Sequence, residues 1–298
     1  MKILVSGATG FIGLPLLHKL VEKGHEILAL TRTPHKDFKS ITFLKADLSH
    51  PMTYSEIVSA FKPEVVIHLA WEGIPNFSFE SSKNNLNNSL NFFSYLISLG
   101  CCKKFIVSGS CFEFNNFNGE CLESDQGMPK DHFTWAKHSL LSWLKLECKN
   151  AGIQFGWLRI FYVYGPRQRI GSLIPSIVSD LKTGNLPQIR TPMNSNDFIY
   201  IDDVIAAFEN AVLMNYPSGI YNLGSGSSTP IIEVCKIAEK IIIGTNNLSQ
   251  KLKNETEDTI ISTDFWANIS ESKKHLNWHP TISLEQGITK TWQWLQSK

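Results

Sequence analysis

The sequence predicts an α/β fold built on a doubly wound parallel sheet, with a smaller α/β region toward the C-terminus. Two observations carry this. Short, continuously apolar runs alternate with helix-periodic segments through the first half, and a glycine-rich turn joins the first run to the first helix. The first strand is read at Lys2–Val5, followed by a helical pattern to Lys23, and the second strand at Glu26–Leu30. A third short strand ends at Asp47-Leu48, Val65–Leu69 follows Lys62-Pro63, and Phe105–Ser108 follows another helical stretch. Parallel strands covered by helices on both faces are apolar throughout and not alternating, which is the pattern these runs show. Gly24 and Gly100 stand where a helix end must turn left-handed before the next strand. From Gly165 onward Pro- and Arg-containing loops separate helices near Ser172–Lys182, Asp202–Leu213 and Pro230–Ile243. The polar segment Asn246–Asp258 reads as an exposed loop.

With 298 residues the chain can bury a large core without staples. Its 28 basic and 27 acidic residues leave a net charge of +1, which removes a global attraction to nucleic acid or to an anionic membrane surface. The six cysteines, at 101, 102, 111, 121, 148 and 235, show neither metal-binding nor disulfide spacing. They read as reduced thiols of a cytoplasmic protein without a metal site. Lys2 followed by Ile3-Leu4-Val5 is too short for a signal sequence, and no run reaches membrane-spanning length, so no membrane is expected as a partner.

In Val5-Ser6-Gly7-Ala8-Thr9-Gly10-Phe11-Ile12-Gly13 the glycines divide the labour of a phosphate-binding turn. Gly7 permits the tight strand-to-helix turn, Gly10 lets backbone approach a pyrophosphate, and Gly13 lets the helix pack close to the sheet. N–H groups at the helix start, with Thr9, Phe11 and Ile12 around them, would hold the phosphates. This turn follows a strand and opens a helix, the context that turns a Gly-rich triplet into a dinucleotide site on a Rossmann-type fold. Where a protein selective for NAD presents an acid at the end of the second strand, this chain has Thr31-Arg32. A hydroxyl beside a guanidinium, with no acid at that strand end to repel an anion, suits the 2′-phosphate of NADPH better than NAD. Asp47 and Leu48 would bound the adenine, and an aspartate there serves equally as a helix cap. We expect residues 1–165 with about 198–224 to form the cofactor domain, and 166–197 with 225–298 to bind substrate.

The glycine turn, His68-Leu69-Ala70, Ser108-Gly109-Ser110, Arg159 to Pro166, Asp197 to Asp203 and Tyr221-Asn222-Leu223-Gly224 together resemble the extended short-chain dehydrogenase/reductases. The likeness covers essentially the whole chain and is strongest to the nucleotide-sugar reductases, epimerases and dehydratases. It implies a Ser, a Tyr and a Lys that pass a proton to a substrate carbonyl while hydride moves, with an Asn behind the Lys. Ser110, Lys137 and Asn85 take three of those roles. The Tyr position, four residues before Lys137, is Phe133. Three explanations follow: an inactivated Tyr-to-Phe variant, which the retained Ser110 and Lys137 favour; a different donor such as Tyr162, Tyr164, Cys111 or water; or a non-catalytic relative that binds NADP as a sensor or scaffold.

The resemblance also implies Leu69 and Ala70 along the cofactor, Lys137 at its ribose, and Phe161 and Tyr162 near the nicotinamide. Dehydratases of the family carry an acidic pair after the catalytic hydroxyl, where this chain has Cys111-Phe112, so reduction or epimerisation with tightly bound NAD(P) is left. Residues 108 to 114 together with Leu69-Ala70-Trp71-Glu72-Gly73 look like reductases that act on the C4 ketone of nucleotide-linked 4-keto-6-deoxy sugars for surface polysaccharides. Trp71 and Cys111 would line the sugar, and Arg167, Arg169 and Arg190 would meet the nucleotide diphosphate. Tyr162 replaces the asparagine that the family carries at that place. Relatives are often homodimers, which is the assembly expected here.

Overall fold

A computed structural model of the chain describes residues 1–114, 117–125, 127–247 and 263–297. Of the polar segment expected to be an exposed loop, residues 248–258 lie outside the described residues. Two compact units divide the chain: Met1–Asn115 with Gln126–Arg159 and Ile205–Tyr221, and Asn116–Asp125 with Ile160–Val204 and Asn222–Lys298.

The first unit runs β1 (Lys2–Ser6), α1 (Gly13–Glu22), β2 (Glu26–Thr31), β3 (Ile41–Lys45), α2 (Ser55–Phe61), β4 (Val65–His68), α3 (Phe79–Ser98) and β5 (Lys104–Ser110). After β6 (Asn118–Cys121) of the second unit it resumes with α4 (His132–Ala151) and β7 (Gln154–Ile160). Strands β1, β2, β4 and β5 fall on the expected apolar runs, β3 ends at Lys45, short of the expected Asp47-Leu48, and Gly24 and Gly100 take positive φ values of 77° and 67°. With β11 (Gly219–Leu223) they form a seven-stranded parallel sheet in the order β11-β7-β5-β4-β1-β2-β3. The chain builds outward from β1 through β2 to β3, then returns to the other side of β1 for β4. Val5 therefore pairs with Ala29 on one side and with Ile67 on the other. That reversal leaves a crevice outside the carboxyl ends of β1 and β4, the place where open α/β sheets bind ligands.

Burial on both faces explains the unbroken apolar runs. Leu4, Val66 and Phe105 on the sheet are fully buried, as are Phe92, Phe93, Leu140 and Leu144 on α3 and α4. Each such side chain contributes roughly 1.5–3 kcal/mol relative to exposure. One buried charge also serves the scaffold. Lys104, at the start of β5, donates from Nζ to the carbonyls of Ala211 (2.9 Å), Val212 (3.0 Å) and Met214 (2.6 Å). These lie at the end of α6 (Ile201–Leu213), whose last carbonyls have no partner within the helix.

In the second unit β8 (Tyr162–Tyr164) and β10 (Phe198–Tyr200) pair in parallel. A four-stranded sheet joins β12 (Thr229–Pro230), β9 (Ser195–Asn196), β13 (Asp264–Ala267) and β6. Helices α5 (Leu173–Lys182) and α7 (Ile231–Ile242) fall where the sequence placed them. Two buried acids tie the loops here. Asp197 accepts from the N–H groups of Ser225 (2.6 Å), Gly226 (3.1 Å) and Ala267 (3.0 Å). Asp203 accepts from Thr281 N–H (2.9 Å), Thr281 Oγ1 (2.8 Å) and Ile282 N–H (3.1 Å). The Asp197 to Asp203 phrase thus organises the backbone of this unit.

Candidate active site

The turn after β1 is shaped by contacts that exclude side chains. Gly7 has φ of 70°, and a Cβ there would stand 2.7 Å from the backbone nitrogen of Ala70; at Gly13 it would stand 2.3 Å from the Gly7 carbonyl oxygen. Helix α1 begins without a side-chain cap and without an acid in its first turn, which leaves its positive end suited to an anion. Next to it lies a cleft of about 240 Å³ at the β1/β4 crevice. Of the positions expected around a dinucleotide, Gly7, Thr9, Gly10, Thr31, Arg32, Leu48, Leu69 and Ala70 line it together. Ser6, Leu30, Ala46, Trp71 and Glu72 line it as well.

Phe11, Ile12, Asp47 and Lys137 stand outside that lining. Phe11 and Ile12 are half-buried. The Asp47 carboxylate accepts from Ser49 N–H (2.9 Å) and Ser49 Oγ (2.6 Å), and these hydrogen bonds hold it below the usual carboxylate range. Those bonds close a turn at the end of β3. Thr31 Oγ1 lies 3.3 Å from Thr9 Oγ1 and donates to the Thr33 carbonyl at 3.1 Å. The strand end beside Arg32 carries no acid, but the structure brings one from elsewhere: Glu72 Oε1, on the loop after β4, lies 3.0 Å from the Arg32 guanidinium. Asn85, expected behind the lysine, spends its amide on that same loop. Its Oδ1 accepts from Glu72 N–H at 2.7 Å, and its Nδ2 donates to the carbonyls of Glu72 (3.0 Å) and Ser81 (2.8 Å).

Helix α4 is started by Asp131, whose carboxylate accepts from Thr134 N–H at 2.7 Å. Phe133 and Lys137, one helical turn apart, share its buried face. Lys137 Nζ donates to the Ser108 carbonyl at 2.9 Å and lies 4.0 Å from the ring centroid of Trp71, 5.7 Å from that of Trp157 and 6.0 Å from that of Phe133. Burial pushes its ammonium down to about 8, against the opposing pull of Glu113. Ser110, at the end of β5, accepts from Phe112 N–H at 3.2 Å. Phe133 is buried, with ring centroids of Phe77 and Trp71 at 4.8 and 5.4 Å. Cys111 is a buried thiol. Of the other donors considered, Tyr164 is buried and its hydroxyl donates to the Leu284 carbonyl at 3.2 Å, which commits it to the fold.

Residues 3–224 match the NAD dependent epimerase/dehydratase family. The chain belongs to that family. It is 27% identical over 292 residues to CDP-abequose synthase of Salmonella muenchen, covering 97% of this chain and 96% of that one. It is 26% identical over 314 residues to dTDP-4-dehydro-6-deoxyglucose reductase of Escherichia coli, covering 97% and 95%. The fold resembles UDP-glucose 4-epimerase of Thermotoga maritima with a TM-score of 0.84 at 23% identity, covering 100% and 99%.

Within this epimerase/dehydratase chain the remaining site expectations fall in the second unit. Phe161 is buried, its ring tilted against that of Phe265 with centroids 5.8 Å apart; Tyr162, on β8, is half-buried. Arg167, Arg169 and Arg190 are exposed there, and Arg167 takes φ of 69°, rare for a residue with a side chain. Sequence reasoning missed Glu72 as a site residue and Glu113 as a scaffold one. Glu113 is fully buried and accepts from Ser110 N–H (2.8 Å), Trp157 Nε1 (2.9 Å) and Arg159 Nε (3.0 Å). Gly109 makes room for it, since a Cβ there would lie 2.2 Å from Trp157 Nε1. That glycine, between two serines at the end of an apolar strand, was the one sequence signal of the buried acid. No helix among the described residues is long and apolar enough to cross a membrane.

Proposed function

We propose that this chain is a nucleotide-sugar oxidoreductase that uses NADPH to reduce the C4 ketone of a nucleotide-linked 4-keto-6-deoxy sugar, a step in building surface-polysaccharide sugars. The observation that carries the reading is Trp71: it lines the cleft at the glycine turn and also covers the buried ammonium of Lys137. One residue thus links the cleft at the glycine turn to a buried ammonium. Its relatives point to the substrate class, since one is a reductase of a dTDP-linked 4-keto-6-deoxy sugar and another makes CDP-abequose.

The glycine cradle fits a pyrophosphate, because a side chain at Gly7 or Gly13 would collide with backbone. Gly7, Thr9, Gly10, Phe11 and Ile12 would hold it, with Thr31, Arg32, Asp47 and Leu48 on the adenosine side. Leu69 and Ala70 would flank the nicotinamide, which when bound supplies the hydride. On the substrate side Ser110 donates its hydroxyl to the ketone oxygen, and the Lys137 charge stabilises the negative charge that grows there. Trp71 and Cys111 bound the sugar, and Arg167, Arg169 and Arg190 take the diphosphate. Phe133 offers no proton to that oxygen. Water then delivers it, and turnover falls by roughly two to four orders of magnitude relative to a positioned acid.

Phe133 also favours a second reading, a non-catalytic protein that binds NADP as a sensor or scaffold. Thermal-shift titrations separate the two. The oxidoreductase reading expects stabilisation by NADPH and, separately, by CDP-, UDP- or dTDP-linked sugars. Stabilisation by NADPH with none by any sugar nucleotide overturns it in favour of the sensor.

A further inference from the structure

From the sequence, Arg32 is a guanidinium with nothing to neutralise it at the place where a 2′-phosphate would be read. In the structure it has a partner, Glu72, at 3.0 Å, and both line the same cleft as Thr9, Gly10 and Thr31. The acid is not carried on a loose surface loop. The Asn85 side chain, buried on α3, grips both the N–H and the carbonyl of Glu72, while the preceding Trp71 packs over Lys137. The carboxylate is thus delivered to the cleft from a loop held at two points.

We propose that Glu72 sets which dinucleotide the cleft accepts, supplying from the β4 loop the carboxylate that the end of β2 lacks. This rests on reading the cleft as a dinucleotide site. A ribose diol can donate hydrogen bonds to a carboxylate, whereas a 2′-phosphate is repelled by it and must compete with it for the Arg32 fork. Glu72 therefore blunts the preference for NADPH that Arg32 alone would impose, and admits NADH. The two side chains are 67% and 54% exposed, so solvent screens the effect and it shrinks further with salt.

The test is direct binding of NADPH and of NADH, by calorimetry at low and at physiological salt, to the parent chain, Glu72→Gln, Arg32→Gln and the double variant. Glu72→Gln is expected to tighten NADPH by roughly three- to tenfold while NADH stays level or weakens. Arg32→Gln is expected to weaken NADPH, and in the double variant the gain from Glu72→Gln is lost. An unchanged NADPH-to-NADH affinity ratio in Glu72→Gln overturns the role of Glu72 while leaving the dinucleotide site standing. Failure of all four proteins to bind either dinucleotide overturns the site and this inference together.

Discussion

Two buried charges flank the end of β5, and they are satisfied in opposite ways. Glu113 is surrounded by donors: a backbone N–H, an indole N–H and a guanidinium all point at its carboxylate. Lys137 makes one hydrogen bond among the described residues, to Ser108, and is otherwise faced by aromatic rings. An ammonium has three donors, so Lys137 retains capacity that a ligand oxygen can use. A carboxylate saturated by protein belongs to the scaffold, because a buried charge is tolerated when its partners are fixed. A charge left with open donors under a ring that lines a cleft is the one available for chemistry. The two neighbours thus have different work, although a sequence shows only an acid and a base on apolar elements.

The largest expected effect tests the Lys137 side. Phe133→Tyr restores a proton donor one helical turn from Lys137 and should raise NADPH-dependent reduction by about 10²–10⁴-fold, measured by single-turnover kinetics. No gain, in a variant that still binds NADPH, breaks the assignment of this corner as catalytic. On the other side, Glu113→Ala leaves the Arg159 guanidinium buried without its acid and should cost about 3–5 kcal/mol in urea unfolding. A loss below 1 kcal/mol erases the contrast between the two charges.

A smaller effect is carried by pH. Lys137 is brought down from 10.5 to about 8 by burial, so between those values the unfolded chain binds more protons than the folded one. The cost of burying the charge is present below pH 8, and stability rises as pH climbs through the window. Activity moves the other way, falling above about pH 8 as the ammonium is lost. Lys104 shifts in the same direction, also to about 8. Lys137→Met should therefore flatten part of the rise in stability, followed by thermal melts across pH, and remove the activity altogether. Smallest is the change in dinucleotide preference expected from Glu72→Gln.

What was legible in the sequence was what local chemistry dictates. Continuous apolar runs marked the parallel strands because both faces are buried, and Gly24 and Gly100 marked helix ends because only a left-handed residue fits there. Most of the cleft was legible too, since the turn, Thr31-Arg32, Leu48 and Leu69-Ala70 follow strands whose ends meet at one crevice. The pairs that decide chemistry were not. Arg32 meets Glu72 only because β1 lies between β2 and β4 and brings their loops together, and Asn85 reaches that loop from a helix packed beneath it. For Asp47 the sequence left an adenine contact and a cap both open, and the structure adds only that Ser49 donates to it twice. Glu113 has its partners only through the fold, because Trp157 and Arg159 come to it from β7.

The most direct measurement follows the hydride itself. The Phe133→Tyr protein is given a nucleotide-linked 4-keto-6-deoxy sugar and NADPH deuterated at the transferred position, and the sugar product is examined by mass spectrometry and NMR. One deuterium at C4 and one NADPH consumed are expected for each product. Product without deuterium at C4, or an interconverted sugar formed with no NADPH consumed, would contradict it and point to an epimerase.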